Sequence, residues 1–234
     1  MLPSPKTKAN PSSTRTGTVY KVLRQDILCG RLTPAAKLLI DEIGQRYGVT
    51  STPIREALNQ LITEGFVQKV DQKGFFVAEV SKRELSELTN TRCWIEAVAL
   101  REALAHRTAQ WEEELILAGH RLSRISRSAD PEVFKENAAW EDAHKHLHMA
   151  LIATCPSRWL LDFCSLMTDH AARYRYLSMS LAYPTRDVAK EHKALIEAAI
   201  DGPPTRAIEM LMEHYRTTAD IIDSSNMDLP DPMA

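Results

Sequence analysis

Apolar positions between Val19 and Ala78 change their spacing twice. Val19, Val22, Leu23, Ile27 and Leu28 recur at helical intervals, and Gly30 follows where a helix would stop. Asp41 to Tyr47 is a second, short helical stretch. Gly48 interrupts it, and Thr52 to Glu64 resumes with Pro53 in the first turn and Ile54, Ala57, Leu58, Leu61 and Ile62 on one face. After Gly65 the text becomes Phe66-Val67-Gln68-Lys69-Val70, the polar loop Asp71-Gln72-Lys73-Gly74, then Phe75-Phe76-Val77-Ala78. Two short β-rich runs around a glycine-containing loop predict a hairpin. The first eighty residues therefore predict a helix, a helix-turn-helix and a two-stranded wing.

From Ser81 onward the strand signal disappears. Ser81 with Glu84 forms a capping box, while Asp130-Pro131, Pro156-Ser157, Tyr183-Pro184-Thr185 and Asp201-Gly202-Pro203-Pro204 punctuate the rest. These signals predict helices near 82–107, 111–127, 131–154, 157–180, 185–201 and 204–224. The expected fold class is mainly α, a winged helix-turn-helix over residues 14–79 followed by an all-α bundle of six or seven helices over 80–226. Residues 1–13, with nothing to bury, read as a disordered tail, and 227–234 as a second tail. No internal repeat is visible.

Composition narrows the function classes. At 234 residues, 44% hydrophobic and 26% charged, the chain can bury a core without disulfides or metal staples. Its longest run without Asp, Glu, Lys or Arg is His146 to Ser157, well short of the roughly 20 apolar residues of a membrane span. The first fifteen residues lack the apolar stretch of a secretory signal, so a cytoplasmic protein with no membrane partner is expected. Cys29, Cys93, Cys155 and Cys164 form no C-x-x-C and read as reduced, buried thiols. The net charge of −2 hides an asymmetry. Residues 1–80 carry 11 basic against 7 acidic side chains and the remainder 18 against 24, so the first segment is +4 and the second −6. A basic reader followed by an acidic partner domain fits this split, as does chance fluctuation.

The residue types in the basic segment suit a nucleic acid. Thr50, Ser51 and Thr52 stand at the N-terminal end of the second helix of the pair, where short hydroxyls and free backbone N–H groups bind phosphate oxygens. Arg55 lies one turn later, opposite the packed face, within reach of a guanine edge or a phosphate. Lys73 and Gly74 at the hairpin tip permit close approach to the DNA backbone. The plainer alternative is a helical hairpin packed on the bundle, with Arg55 solvated or paired with Glu56. Beyond these single residues, the stretch from Tyr47 through Thr52-Pro-Ile-Arg-Glu-Ala-Leu58, then Leu61, Glu64-Gly65-Phe66-Val67 and Gly74-Phe-Phe-Val-Ala78, resembles the DNA-binding signature of the GntR superfamily of bacterial transcription regulators. Ser51 departs from that pattern, which usually has an operator-contacting arginine there. The resemblance then implies a variant operator or greater reliance on Arg55 and the wing. Ala35 stands where the family commonly has glycine after proline.

Four histidines of the acidic half lie on apolar stripes. His144 and His148 share a face with Leu151, Ile152 and Cys155, His192 with Val188, Leu195, Ile196 and Ala199, and His214 with Ala207, Met210 and Leu211. Imidazoles from three helices converging in a core would suit a divalent metal such as Zn²⁺ or Ni²⁺, and satisfied buried histidines are the plainer alternative. Arg92 also sits on an apolar stripe, with Leu85, Leu88, Ile95, Ala99 and Ala103, and needs an anion. Either Glu96 one turn on or the carboxylate of a small-molecule effector would serve. Arg173, Tyr174 and Arg175 are further candidates for the same pocket.

Residues 81–224 resemble the FCD effector domain of the FadR subfamily. Arg92-x-x-x-Glu96, Leu147-His148, Glu191-His192 with Ile196 and Ala199, and Glu213-His214 carry that resemblance. It implies metal ligands at His148, His192 and His214. Position 144 is His where the family has Asp, so either this imidazole or Glu141 would supply the fourth ligand. The expected function is a dimeric, sequence-specific regulator of double-stranded operator DNA, modulated by a carboxylic acid effector. The alternatives are a metal-dependent hydrolase on the histidine cluster and a helical adaptor without DNA affinity. The hydrolase lacks H-E-x-x-H and G-x-S-x-G motifs and an open ligand position.

Overall fold

The computed structural model describes residues 11–225 and Leu229, with side chains from Arg15 onward. The chain divides into two compact units, Met1–Glu79 and Val80–Ala234.

In the first unit, α1 (Pro11–Leu28) is followed by β1 (Lys37–Leu38), α2 (Ile40–Tyr47), α3 (Ser51–Thr63), β2 (Val67–Val70) and β3 (Gly74–Val77). Pro11, Ser12 and Ser13, expected in the tail, belong to α1; proline suits a first helical position because its missing N–H would have no intrahelical partner there. The expected tail over residues 1–10 lies outside the described residues, as does that over 227–234 apart from Leu229. Ile54, Leu58 and Leu61 on α3 are fully buried against Val19, Leu23 and Ile27 of α1, and each such side chain contributes roughly 1.5–3 kcal/mol. Two glycines make the turn between α2 and α3. Gly48 ends α2 in the left-handed region at φ 66°. A Cβ at Gly44 would stand 2.9 Å from the Val49 carbonyl oxygen, so α3 can follow this closely only where that carbon is missing.

The wing has three strands rather than two, antiparallel in the order β1-β3-β2. Val67 pairs with Val77 and Val70 with Gly74, while Lys37 pairs with Phe76. β1 escapes sequence reading because two residues have no period. They are placed by Ala35, whose left-handed backbone at φ 61° turns the chain into the sheet.

Among the described residues the second unit has six helices: α4 (Lys82–Ala105), α5 (Ala109–Ser123), α6 (Ala138–Leu151), α7 (Arg158–Ala182), α8 (Val188–Asp201) and α9 (Pro204–Asp223). The Ser81 hydroxyl accepts from the Glu84 N–H at 3.0 Å, forming the expected N-cap. The expected helix over 131–154 begins only at Ala138. Upstream, local side chains hold a closed loop: the Asp130 carboxylate accepts from the N–H groups of Glu132 and Val133 at 3.0 and 3.2 Å, and the Ser128 hydroxyl from that of Lys135 at 2.8 Å. Such contacts compete with helix formation. The core runs through Leu100, Leu115, Leu147, Leu151, Leu195 and Leu211, drawing on every helix except α7, which adds Cys164. No described helix is long and apolar enough to cross a membrane.

Candidate nucleic-acid interface and metal centre

Thr50 is the N-cap residue of α3, yet its side chain makes no capping bond, and the first turn holds no acidic residue. Thr50, Ser51 and Thr52 are exposed, and among the described residues no hydrogen bond engages their hydroxyls. The N-terminus of the helix thus offers unpaired donors and the positive end of its dipole to an anion. Arg55 is exposed and makes no ion pair among the described residues. Glu56, its alternative partner, accepts instead from the Thr16 hydroxyl of α1 at 2.7 Å. Exposed Lys73 and half-buried Gly74, the latter at φ 101°, form the tip of the wing. A basic residue missed in the sequence joins them. Lys37 on β1 lies over the Phe76 ring, 6.0 Å from its centroid, with Cε 4.0 Å from where a Gly74 Cβ would be.

The four histidines meet in the second unit. His144 and His148 come from α6, His192 from α8 and His214 from α9. All are buried, with one ligand nitrogen from each inside a group spanning no more than 4.8 Å. His144 Nε2 and His148 Nε2 are 3.1 Å apart, a separation at which two imidazole nitrogens share one proton at most. Burial above all, then Arg175 and the other histidines for His144 and the other histidines and nearby arginines for His148, lowers their pKa values well below the ordinary range, and burial dominates for His192 as well. The cluster is neutral.

Outer partners fix which nitrogens are bare. Tyr215 donates its hydroxyl proton to Glu96, so its oxygen accepts from His148 Nδ1 at 3.2 Å and leaves Nε2 with a lone pair. His214 Nδ1 lies 2.7 Å from Glu191 Oε2, and Arg186 grips both oxygens of that carboxylate, Nε donating to Oε1 and Nη2 to Oε2, each at 2.8 Å. Burial raises the Glu191 pKa, but hydrogen bonds from His214 and Arg186 prevail and hold it at about 2, so it accepts and His214 Nε2 is bare. His144 is positioned by stacking on Trp140, with centroids 4.7 Å apart and planes 20° apart. His144 Nδ1 and His192 Nε2 are buried without a hydrogen-bond partner.

These residues fit a divalent ion. Zinc–nitrogen bonds of about 2.0–2.1 Å place tetrahedral ligands about 3.4 Å apart, so His144 and His148 need little movement and the widest pair, within 4.8 Å, must close by about 1.4 Å at most. Neutral nitrogen donors suit borderline metals such as Zn²⁺ and Ni²⁺. Glu141 is outside the cluster, its carboxylate engaged by Arg175.

A cavity of about 30 Å³ adjoins the histidines, bounded by Arg92, His144, Tyr174, Arg175, His214 and Tyr215 among others. Arg92 is paired with Glu96 at 2.8 Å and lies over the Tyr215 ring, 3.8 Å from its centroid. Of the three α7 residues expected here, Tyr174 lines the cavity with its ring while its hydroxyl engages Ser81 and Glu84. Arg175 also stands in the lining, as expected, whereas Arg173 is directed to Glu84 at 3.2 Å and is absent from it.

The chain is similar to known regulators over nearly its whole length. Residues 15–77 match the family described as "Bacterial regulatory proteins, gntR family", and residues 87–217 match the FCD domain. BphR of Paraburkholderia xenovorans strain LB400, an HTH-type transcriptional regulator, is 33% identical over 203 residues, 87% of this chain and 83% of that one. GlaR of Escherichia coli K12, an HTH-type transcriptional repressor, is 31% identical over 210 residues, 88% of this chain and 94% of that one. The structure of E. coli McbR/YncC superposes with a TM-score of 0.74 at 20% identity, covering 91% of this chain and 99% of that one, which supports the fold. Neither matched family is enzymatic, so the hydrolase alternative falls. A winged reader with its donors free, a helical domain enclosing a histidine cluster, the two matched family domains and transcriptional-regulator relatives aligned over most of the chain place it in the GntR family of bacterial regulatory proteins, as a DNA-binding transcriptional regulator with an FCD effector-binding domain.

Proposed function

We propose that the protein is a cytoplasmic, homodimeric regulator whose affinity for a palindromic operator is set by a small carboxylate effector, bound beside a divalent metal in the helical domain. The observation that carries the reading is the set of four buried, neutral imidazoles, two of them with Nε2 bared by Glu191 and by the Tyr215–Glu96 pair. His144, His148, His192 and His214 would hold the ion, and its charge would attract a carboxylate oxygen.

The protein's own groups do the rest. Arg92 and Arg175 bound the adjoining cavity, each already held by a glutamate, Glu96 and Glu141. At about 30 Å³ the cavity has room for about two waters and no carboxylic acid. Admission of an effector to this cavity requires its walls on α4, α7 and α9 to part, and a carboxylate on either arginine replaces a glutamate. An effector that binds only the parted arrangement shifts the population toward it, and operator affinity follows. Thr50, Ser51, Thr52, Lys37, Lys73 and Gly74 would hold phosphates while Arg55 reads a base edge.

Elemental mass spectrometry of untagged protein purified without chelator tests the metal, beside a His192→Ala control. About one equivalent of Zn²⁺ or Ni²⁺ per chain, lost in the control, is expected. Metal-free wild type would overturn that part. Selection of bound duplexes from a random library tests the reader. An inverted repeat is the expected product, and no enrichment would overturn operator recognition.

A further inference from the structure

Arg127 is a half-buried cation without an anion of its own. It stands just beyond α5, donates from Nη1 to the Arg186 carbonyl at 2.8 Å, and lies over the Tyr183 ring, 4.9 Å from its centroid. Among the described residues it makes no ion pair, and its Nε and Nη2 meet no acceptor. Two carboxylates act on it from a greater distance, and both are committed elsewhere. Glu191 is gripped by Arg186 and His214, and Asp187 caps α8 by accepting from the Lys190 N–H at 3.0 Å. Burial lowers the Arg127 pKa more than Tyr183 and these two acids raise it, so the charge is left short of a counter-ion. A guanidinium held by a ring and a carbonyl, with Nε and Nη2 both free, keeps the fork that a carboxylate takes bidentately.

Arg127 lines a groove of about 1040 Å³ between α5 and α8, large enough for a small-molecule ligand. Most of its surface is apolar, with Leu122, Ile125, Trp140, Val188 and Ile196 among the lining residues. Ile196 lies in the floor because Gly119 leaves space for it: a Cβ there would stand 2.4 Å from Ile196 Cδ1. None of the three acids along the groove, Asp187, Glu197 and Asp201, pairs with Arg127, and Glu197 instead lies 3.9 Å from Lys193. Exposed Lys190 adds a second cation that makes no ion pair among the described residues. Trp140, stacked on His144, and His192 stand between this groove and the histidine cluster. An apolar trough with an uncompensated arginine matches a molecule that is apolar along its length and anionic at one point.

We infer that the α5–α8 groove is a binding site for an amphipathic carboxylic acid, with the carboxylate on Arg127 and the hydrocarbon part along Leu122, Ile125, Val188 and Ile196. The site is separate from the histidine cluster and needs no metal. The test is calorimetry of the full-length protein, as purified, with hexanoate, octanoate and decanoate and with uncharged octanamide. Affinity should rise about fourfold with each added methylene, the gain from burying it. Octanoate should bind about tenfold tighter than octanamide, the worth of a charged hydrogen-bonded pair. Arg127→Gln should lose that factor for the acid and leave the amide unchanged, while Arg127→Lys, which keeps the charge but not the fork, should lose less. If Arg127 only shapes its loop, the Gln variant will weaken acid and amide alike, and its role as the carboxylate partner is overturned. Chelator should leave octanoate binding unchanged. Binding lost with the metal would put the acid beside the ion and overturn the groove, whereas wild type that holds no metal yet binds octanoate would overturn the metal reading alone. No saturable binding of decanoate, or equal binding of octanoate and octanamide, would also overturn the groove.

Discussion

His148 is aimed by Tyr215. The tyrosine gives its proton to Glu96 and takes one from His148 Nδ1 at 3.2 Å, while the same Glu96 is held by Arg92 at 2.8 Å. A chain of four side chains from three helices thus decides which nitrogen of one imidazole faces the cluster. Removal of the hydroxyl tests it. Tyr215→Phe keeps the ring and its contact with Arg92 but leaves Nδ1–H buried without an acceptor. Zinc affinity, measured by competition with a chelator, is expected to fall about 10- to 100-fold, the usual effect of losing an outer partner of a metal-bound histidine. Wild-type affinity would show that the hydroxyl plays no part in metal binding.

The metal-free protein should be acid-sensitive. In the folded state burial lowers the pKa of all four histidines, whereas the unfolded chain protonates them near 6.5. Between the lowered folded values and 6.5 the unfolded state therefore binds more protons, and stability present above 6.5 is lost as the pH falls. The loss approaches about 1.4 kcal/mol per pH unit for each histidine that charges only on unfolding. Glu191, held at about 2, contributes its own loss only below the ordinary carboxylate range. Urea unfolding of chelator-treated protein at pH 7.5, 6.5 and 5.5 measures this, and a flat profile across the lower interval would refute it.

Ala35 occupies the left-handed region at φ 61°, where an L side chain is strained and glycine is not. Ala35→Gly is expected to stabilise the first unit by about 0.5–1 kcal/mol despite the extra freedom it gives the unfolded chain. Thermal melting decides the sign, and a lower midpoint would be the wrong one.

Arg55 and Lys37 should fail differently. Arg55→Ala removes a base reader and should weaken binding to the selected operator by about 1–3 kcal/mol, with relaxed specificity at one position. Lys37→Ala removes a phosphate contact, weakening all duplexes alike and lowering the salt slope by about one. Both side chains are exposed, so neither change should move the melting temperature. Fluorescence anisotropy on operator and random duplex at three salt concentrations separates the two.

Features with a period were legible in the sequence and those without one were not. Histidines spaced with leucines on three separate stripes had to point inward, and the helix-turn-helix followed from Gly48 and the run from Ile54 to Leu61. β1, with two residues, had no alternation to read. The 128–137 loop looked like a helix start because Asp130-Pro131 is also a capping signal, and only the bonds to Ser128 and Asp130 reveal the loop. On α7, Ala172, Arg173, Tyr174 and Arg175 are all buried, so no stripe distinguished the arginine that lines the cavity from the one that holds Glu84.

His144 supplies the last expectation. A carboxylate here would be anionic, buried and costly to leave unpaired, whereas a neutral imidazole stacked on Trp140 is tolerated without a metal. The nearest arginine gives little help, because Arg175 is already engaged by Glu141. His144→Asp should therefore destabilise the metal-free protein by several kcal/mol, on the order of the penalty for a buried unpaired charge. The loaded form should suffer less, since the ion neutralises the carboxylate. The gap between melting temperatures with and without metal widens, and the preference shifts from Zn²⁺ toward harder ions such as Mn²⁺. Calorimetry of wild type and His144→Asp, each with chelator, Zn²⁺ and Mn²⁺, measures all three effects. An unchanged gap would mean that position 144 does not face the ion, and the site would then rest on His148, His192 and His214.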